Sequence, residues 1–223
     1  MNDAVIQTVI EEFQQQAGNE WAPVQQSGPD EYDQDYGVNV EDRDQPLTRL
    51  RDRLAQSKQV LSLQGDLFAE LLARNLAFGS VITSLESFLW ETVLYWVEHD
   101  DDTVRNIVTK IPYFRDQPLK LGQLFEKRES LRNDVKAYLQ NLVWHRWSRV
   151  APLFTSGLGL KIPSFKQFDA ALLRRHDIVH RSGLSKAGDP VQIAAGELES
   201  LCEQVLAFAL EINAELAQRG SFA

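Results

Sequence analysis

The stretch Arg174 to Gly183, "RRHDIVHRSG", gathers three arginines, two histidines and an aspartate around the apolar pair Ile178 and Val179, then stops at a glycine. Histidine, with an ordinary pKa of about 6.5, serves as general acid or base near neutrality. Arginine stays protonated, and its planar fork matches the oxygens of a phosphate. Cleaving RNA without a metal needs a base for the ribose 2'-hydroxyl, an acid for the leaving 5'-oxygen and a fixed cation for the phosphorane charge. The motif holds all three kinds of group. DNA lacks the attacking hydroxyl, so such a route selects RNA by its chemistry. A plainer reading stands beside it: Arg and His favour the negative C-terminal end of a helix, and Gly183 suits a left-handed cap.

Spacing narrows the choice. At about 100° per residue, His176 and His180 share a helical face, a spacing also found in metal sites. A metal needs a third ligand, however, and no acid stands in a zinc pattern here, while His99 and His145 lie far away in sequence. Neither a metal nor a cofactor is expected. Arg175 and His180 stand about 140° apart on the helix, off a common face. Two copies packed about a two-fold axis bring two arginines and two histidines into one cleft.

The elements that position these residues read as helices. Apolar residues at helical spacing predict one helix from about Leu47 to Leu72, broken near Gly65, and a second from Ala73 to His99 with a wide stripe from Phe78 to Val97. A short helix over Thr103 to Lys110, a long one over Leu121 to Val150 and a last one over Glu197 to Ala217 complete the set. Ser164 with Gln167 resembles a capping box that starts the motif helix. Val191 to Ile193 reads as briefly extended. No strand alternation and no repeat appears, so the chain is expected to be an all-α bundle of four to six helices.

The net charge of −9 is uneven. Residues 1–44 carry eleven acids and one base, Arg43, whereas the remainder holds twenty-one acids and twenty-two bases. Residues 1–46 are therefore read as an acidic arm, with a short helix over Ala4 to Gln15 and a linker over 19–46, and 47–223 as the helical domain. Cys202 is the one cysteine and falls among Leu198, Leu201, Val205 and Phe208, a core position. With Glu86 and Glu91 interrupting its richest apolar stretch and no basic leader at its start, the chain is expected to be soluble and cytoplasmic, with no membrane partner. "WHRWSR", Trp144 to Arg149, interleaves aromatics with bases as stacking platforms do. Trp147 falls on the core stripe, and packing is the favoured reading. "EKRES" over 126–130 reads as a solvated face.

"RRHDIVHRSG" resembles the signature of HEPN-domain proteins, in which an arginine, a polar residue and three further residues precede a histidine near a helix end. Arg175, His176 and His180 occupy those places. "AFGSVITSLESFLWETVL" is similar to the early helix of larger HEPN families, with Glu86 in its "LESFL" context. Ser182 departs from the "HRNG" of many relatives. The resemblance implies a HEPN-like bundle that homodimerises through its motif helices and cuts RNA as a metal-independent endoribonuclease, in toxin–antitoxin or antiviral defence, with an antitoxin or regulatory protein as a further partner. A non-catalytic HEPN scaffold for nucleotide, RNA or protein is the alternative. Within the site, His180 is the general base or acid, Arg175 the transition-state clamp, and His176 orients substrate or assists proton transfer. Arg174 and Arg181 are candidates to hold flanking phosphates. Asp177 either orients His180 or pairs with Arg181 at i+4, the pair being favoured.

Overall fold

The computed structural model describes residues 39–219, together with Thr8 and Glu11, both helical. The remainder of the expected Ala4–Gln15 helix, and the linker as far as residue 38, lie outside the described residues. A compact unit begins at Asn39, ahead of the expected start at Leu47. Val40 is fully buried and Arg49 Nη2 donates to the Asn39 carbonyl, which fixes this lead-in.

The fold is all-α. The described residues form eight α-helices: α1 (Gln45–Gln59), α2 (Leu67–His99), α3 (Asp101–Lys110), α4 (Pro112–Arg115), α5 (Leu124–Gln140), α6 (Trp147–Pro152), α7 (Asp169–His180) and α8 (Ala195–Gln218). Six of them run ten residues or more. No strand occurs among the described residues, only an isolated antiparallel bridge between Leu184 and Pro190.

Helix α2 is the axis of the bundle. Its 33 residues bury Val81, Ile82, Leu85, Phe88, Leu89, Val93 and Val97, and α1, α5, α7 and α8 pack around it. It starts earlier than its apolar stripe suggests. The Asp66 carboxylate accepts the N–H groups of Phe68 and Ala69, an N-cap that nucleates the helix at Leu67. The stretch expected as one helix to Leu72 therefore divides into α1, a 3-10 turn over Val60–Ser62, and the first turns of α2. Glu91 is 1% exposed, and Arg49 and Arg53 of α1 meet it at 3.2 and 3.6 Å. A buried carboxylate held by two cations pins α1 to the axis.

The single helix expected over Leu121 to Val150 is two, α5 and α6. Trp144 Nε1 donates to the Leu139 carbonyl at 3.1 Å and Asn141 Nδ2 to that of Ala137 at 2.9 Å. The same carbonyls also accept the backbone N–H groups of Asn141 and Leu142, so side chain and backbone together satisfy the last turn where the helix ends. After α6 a π-helical turn, Leu153–Gly157, lies against α3 so closely that a Cβ on Gly157 would meet Ile107 Cγ1 at 2.8 Å. Ser164 does act as a cap, accepting the Lys166 N–H, but Gln167 turns to the Ser164 carbonyl rather than its N–H. The capped unit is a 3-10 turn, Phe165–Phe168, which leads into α7. Phe165 and Phe168 pack on Phe208 of α8, Phe165 stacks on Trp147 at 4.7 Å, and Cys202 is buried in α8. At the far end Arg219 reaches back to Asp100 and lies over the Trp96 ring.

Candidate functional site

Helix α7 is held to the bundle by Ala171 and Ile178. At 100° per residue, Leu173, His180, His176 and Val179 fall within an arc of about 120° on the opposite side. All four are exposed, Leu173 by 67% and Val179 by 57%. This outer face is therefore apolar and imidazole-bearing, where a solvated helix carries charge. The rings of His176 and His180 lie 4.9 Å apart, tilted by 46°. Leu72 and Leu76 on α2, and Leu184 beyond Gly183, are also exposed.

Arg175 sits at the edge of that arc and turns inward. Its Nη1 lies 3.4 Å from Glu86 Oε1 on α2, and the same oxygen lies 3.0 Å from His145 Nδ1, in the loop between α5 and α6. The three line a pocket of about 310 Å³ together with Thr83, Trp90 and Trp144. Two N–H groups here, Arg175 Nε and Trp90 Nε1, are buried without an acceptor among the described residues. Unpaired buried donors cost about 1–3 kcal/mol each. No family model, no curated protein and no solved structure matches this chain. The residues themselves carry the functional reading.

Glu86 and His145 form a carboxylate–imidazole dyad. With Nδ1 donating to Glu86, Nε2 is left to accept or return a proton, the geometry by which a carboxylate fixes a catalytic histidine. Arg175 contributes fixed positive charge at the same carboxylate oxygen.

The remaining motif residues are placed differently from one another. Arg174 Nη1 lies 2.6 Å from Glu197 Oε1 and ties α7 to the start of α8. Glu197 also accepts the Ala194 N–H, and these two donors, the backbone one first, hold its carboxyl below the usual range. Arg181 pairs with Asp177 one turn back, the favoured of the two readings of that aspartate. Both arginines assigned to flanking phosphates are thus engaged by carboxylates. Among the described residues, no hydrogen bond joins Arg175 to His180 or to His176. No group of three His, Cys, Asp or Glu side chains is placed to hold a metal among the described residues, and no helix there is long and apolar enough to cross a membrane.

Helix α7 ends by bonding the N–H groups of Arg181 and Gly183 to the Asp177 carbonyl, each at 3.1 Å. The turn needs two residues at positive φ, Ser182 at 53° and Gly183 at 79°. Glycine adopts this region freely, and beyond it the chain folds back so that the Val191 N–H reaches the Gly183 carbonyl at 2.7 Å. His145 is the functional candidate that sequence reading passes over. Its one signal is the "WHRWSR" run, where the tryptophans draw attention and the histidine makes the contact.

Proposed function

We propose that this chain is a metal-independent endoribonuclease of the HEPN type, acting at a composite site formed across a homodimer, as a toxin or antiviral-defence effector under the control of a partner protein. The observation that supports it best is the outer face of α7. Leu173 and Val179 are costly to leave in water, and the two histidines lie between them, so pairing α7 with its two-fold mate buries the apolar flanks and closes the imidazoles into a cleft. Arg175, one step round the helix at the edge of that face, is turned inward onto Glu86 and reaches the cleft only by swinging away from that carboxylate.

In the reaction, one histidine takes the proton of the ribose 2'-hydroxyl, and the oxygen attacks the adjacent phosphorus. The bond from phosphorus to the 5'-oxygen breaks, a second histidine protonates that oxygen, and the products are a 2',3'-cyclic phosphate and a 5'-hydroxyl. His180 of each protomer supplies these proton transfers, His176 orients the strand, and Arg175 offsets the phosphorane charge. Acid–base help of about 10²- to 10⁴-fold, with preorganised charge of similar size, suffices for a working nuclease.

A second reading is favoured by one specific observation: Arg174, Arg181 and, in part, Arg175 are bound to carboxylates, which leaves less free cation than a strand-gripping nuclease uses. On that reading the fold is a scaffold that binds nucleotide, RNA or a partner protein without cutting. One experiment separates them. Purified protein is incubated with single-stranded RNA in EDTA, with Arg175→Ala and His180→Ala in parallel. Products ending in 2',3'-cyclic phosphate from wild type, lost in both variants, are the expected result. Intact RNA after incubation with a protein shown to be dimeric favours the scaffold.

A further inference from the structure

A second pocket, of about 440 Å³, opens on the other side of the loop that carries His145. It lies within the roughly 300–1,000 Å³ typical of small-ligand clefts. Its floor is aromatic: the rings of Tyr113 and Tyr138 lie 4.6 Å apart at 31°, and Phe114 meets Tyr138 edge-on at 5.2 Å. Tyr113 is 57% exposed, so its outer ring face is open to solvent. A tyrosine already packed against neighbouring rings yet largely exposed costs little to order against a further flat ring.

The rim carries matching polar chemistry. Arg149 makes no ion pair with any described residue, whereas the neighbouring Lys127 and Asp134 neutralise one another at 2.9 Å. Burial pushes the Tyr138 hydroxyl up, and the nearby Arg149 guanidinium opposes that shift. Asn141 spends its amide N–H on the Ala137 carbonyl, which leaves its side-chain oxygen as an acceptor. An open aromatic face, one uncompensated guanidinium and one amide acceptor are complementary to a nucleobase with its attached phosphate. Leu142 lines both this pocket and the one holding Glu86, His145 and Arg175, so a strand crossing the Asn141–Arg146 loop reaches the two together.

Resting on the nuclease reading of the Arg175 site, we infer that Tyr113 and Arg149 form a subsite that receives an unstacked base of single-stranded RNA next to the bond to be cut. A paired base has both faces covered by its neighbours, so this subsite makes the substrate single-stranded. It also accounts for "WHRWSR": the tryptophans are packed, and the last arginine of the run faces the ligand.

The test is binding, measured apart from cleavage. Fluorescence anisotropy follows a labelled, fully 2'-O-methylated oligonucleotide, which has no free 2'-hydroxyl to attack, with the full chain and with Tyr113→Ala, Tyr113→Phe and Arg149→Gln. Tyr113→Ala is expected to weaken binding about 5- to 150-fold, the loss of one base–aromatic stack, with Tyr113→Phe near wild type and Arg149→Gln weakened and less salt-dependent. Tyr113 is largely exposed, so the fold is retained, as thermal melting verifies. Wild-type affinity in both Tyr113→Ala and Arg149→Gln overturns the subsite, and so does equal affinity for a duplex of the same sequence or no binding of the strand. Tyr113-dependent binding by a protein that leaves natural RNA intact upholds the subsite and sinks the nuclease reading alone. Cleavage lost in Arg175→Ala, with binding indifferent to Tyr113, does the reverse.

Discussion

A single oxygen, Glu86 Oε1, faces both Arg175 and His145. His180 makes the proton transfers in the proposed reaction, and removing His145 leaves the Glu86 carboxylate to hold Arg175 away from the phosphate, so His145→Ala is expected to lower the cleavage rate by up to about 100-fold with little change in thermal midpoint, by single-turnover assay and calorimetry. Ser182 is a second point of leverage. A non-glycine residue at positive φ carries a local conformational cost, and asparagine tolerates that region better than serine does. Ser182→Asn is expected to raise stability by about 0.5–1 kcal/mol in urea unfolding, and an unchanged midpoint refutes the strain. Sequence reading locates Arg175, His176 and His180 because they sit on one short segment, and anticipates the Asp177–Arg181 pair because i+4 neighbours meet on any helix. It misses His145 and the partner of Arg174, since Glu86 and Glu197 are brought to them by packing between segments distant in the chain.

At the level of the helices, apolar spacing reveals which segments are helical and which face turns inward, and it places α2 and α8 nearly whole. The ends are a different matter. The start of α2 is set by the Asp66 side chain, which satisfies two backbone N–H groups and has a sequence signature, whereas the end of α5 has none. The contact between Gly157 and Ile107 has no signature at all. Gly157→Ala is expected to cost about 1–3 kcal/mol, because its methyl group overlaps a fully buried side chain, and Ile107→Ala in the same chain, which removes the Cγ1 that the methyl group meets, recovers part of that loss in a double-mutant cycle. The tie between α7 and α8 depends on pH in a defined sense. Glu197 lies below its ordinary value of 4.5 in the folded chain, so its contribution is fully present above that value and is lost as the pH falls through the lower folded one. The difference in melting temperature between wild type and Glu197→Gln is expected at neutral pH and to vanish in acid.

For the molecule as a whole, charge and surface act together. Residues 1–38 contain eight acids and no base, which accounts for nearly all of the net −9. Replacing those acids by their amides is expected to speed RNA association at low ionic strength, with the gain erased by salt at about 0.15 M and above, where the Debye length is about 8 Å. Val179→Glu on the outer face of α7 is expected to give a folded monomer by analytical ultracentrifugation, and a dimer that survives it moves the two-fold interface elsewhere. A test of the proposed interface is helped by the sulfur of α8. Cys202 is 1% exposed, and burial pushes its thiol up, so the native fold leaves it unreactive toward thiol-directed reagents. One cysteine introduced on the surface then takes one spin label per protomer with no background substitution. In an assembly with two-fold symmetry the dipolar spectrum of such a sample contains a single distance, and a few positions along α7 are enough to triangulate the axis.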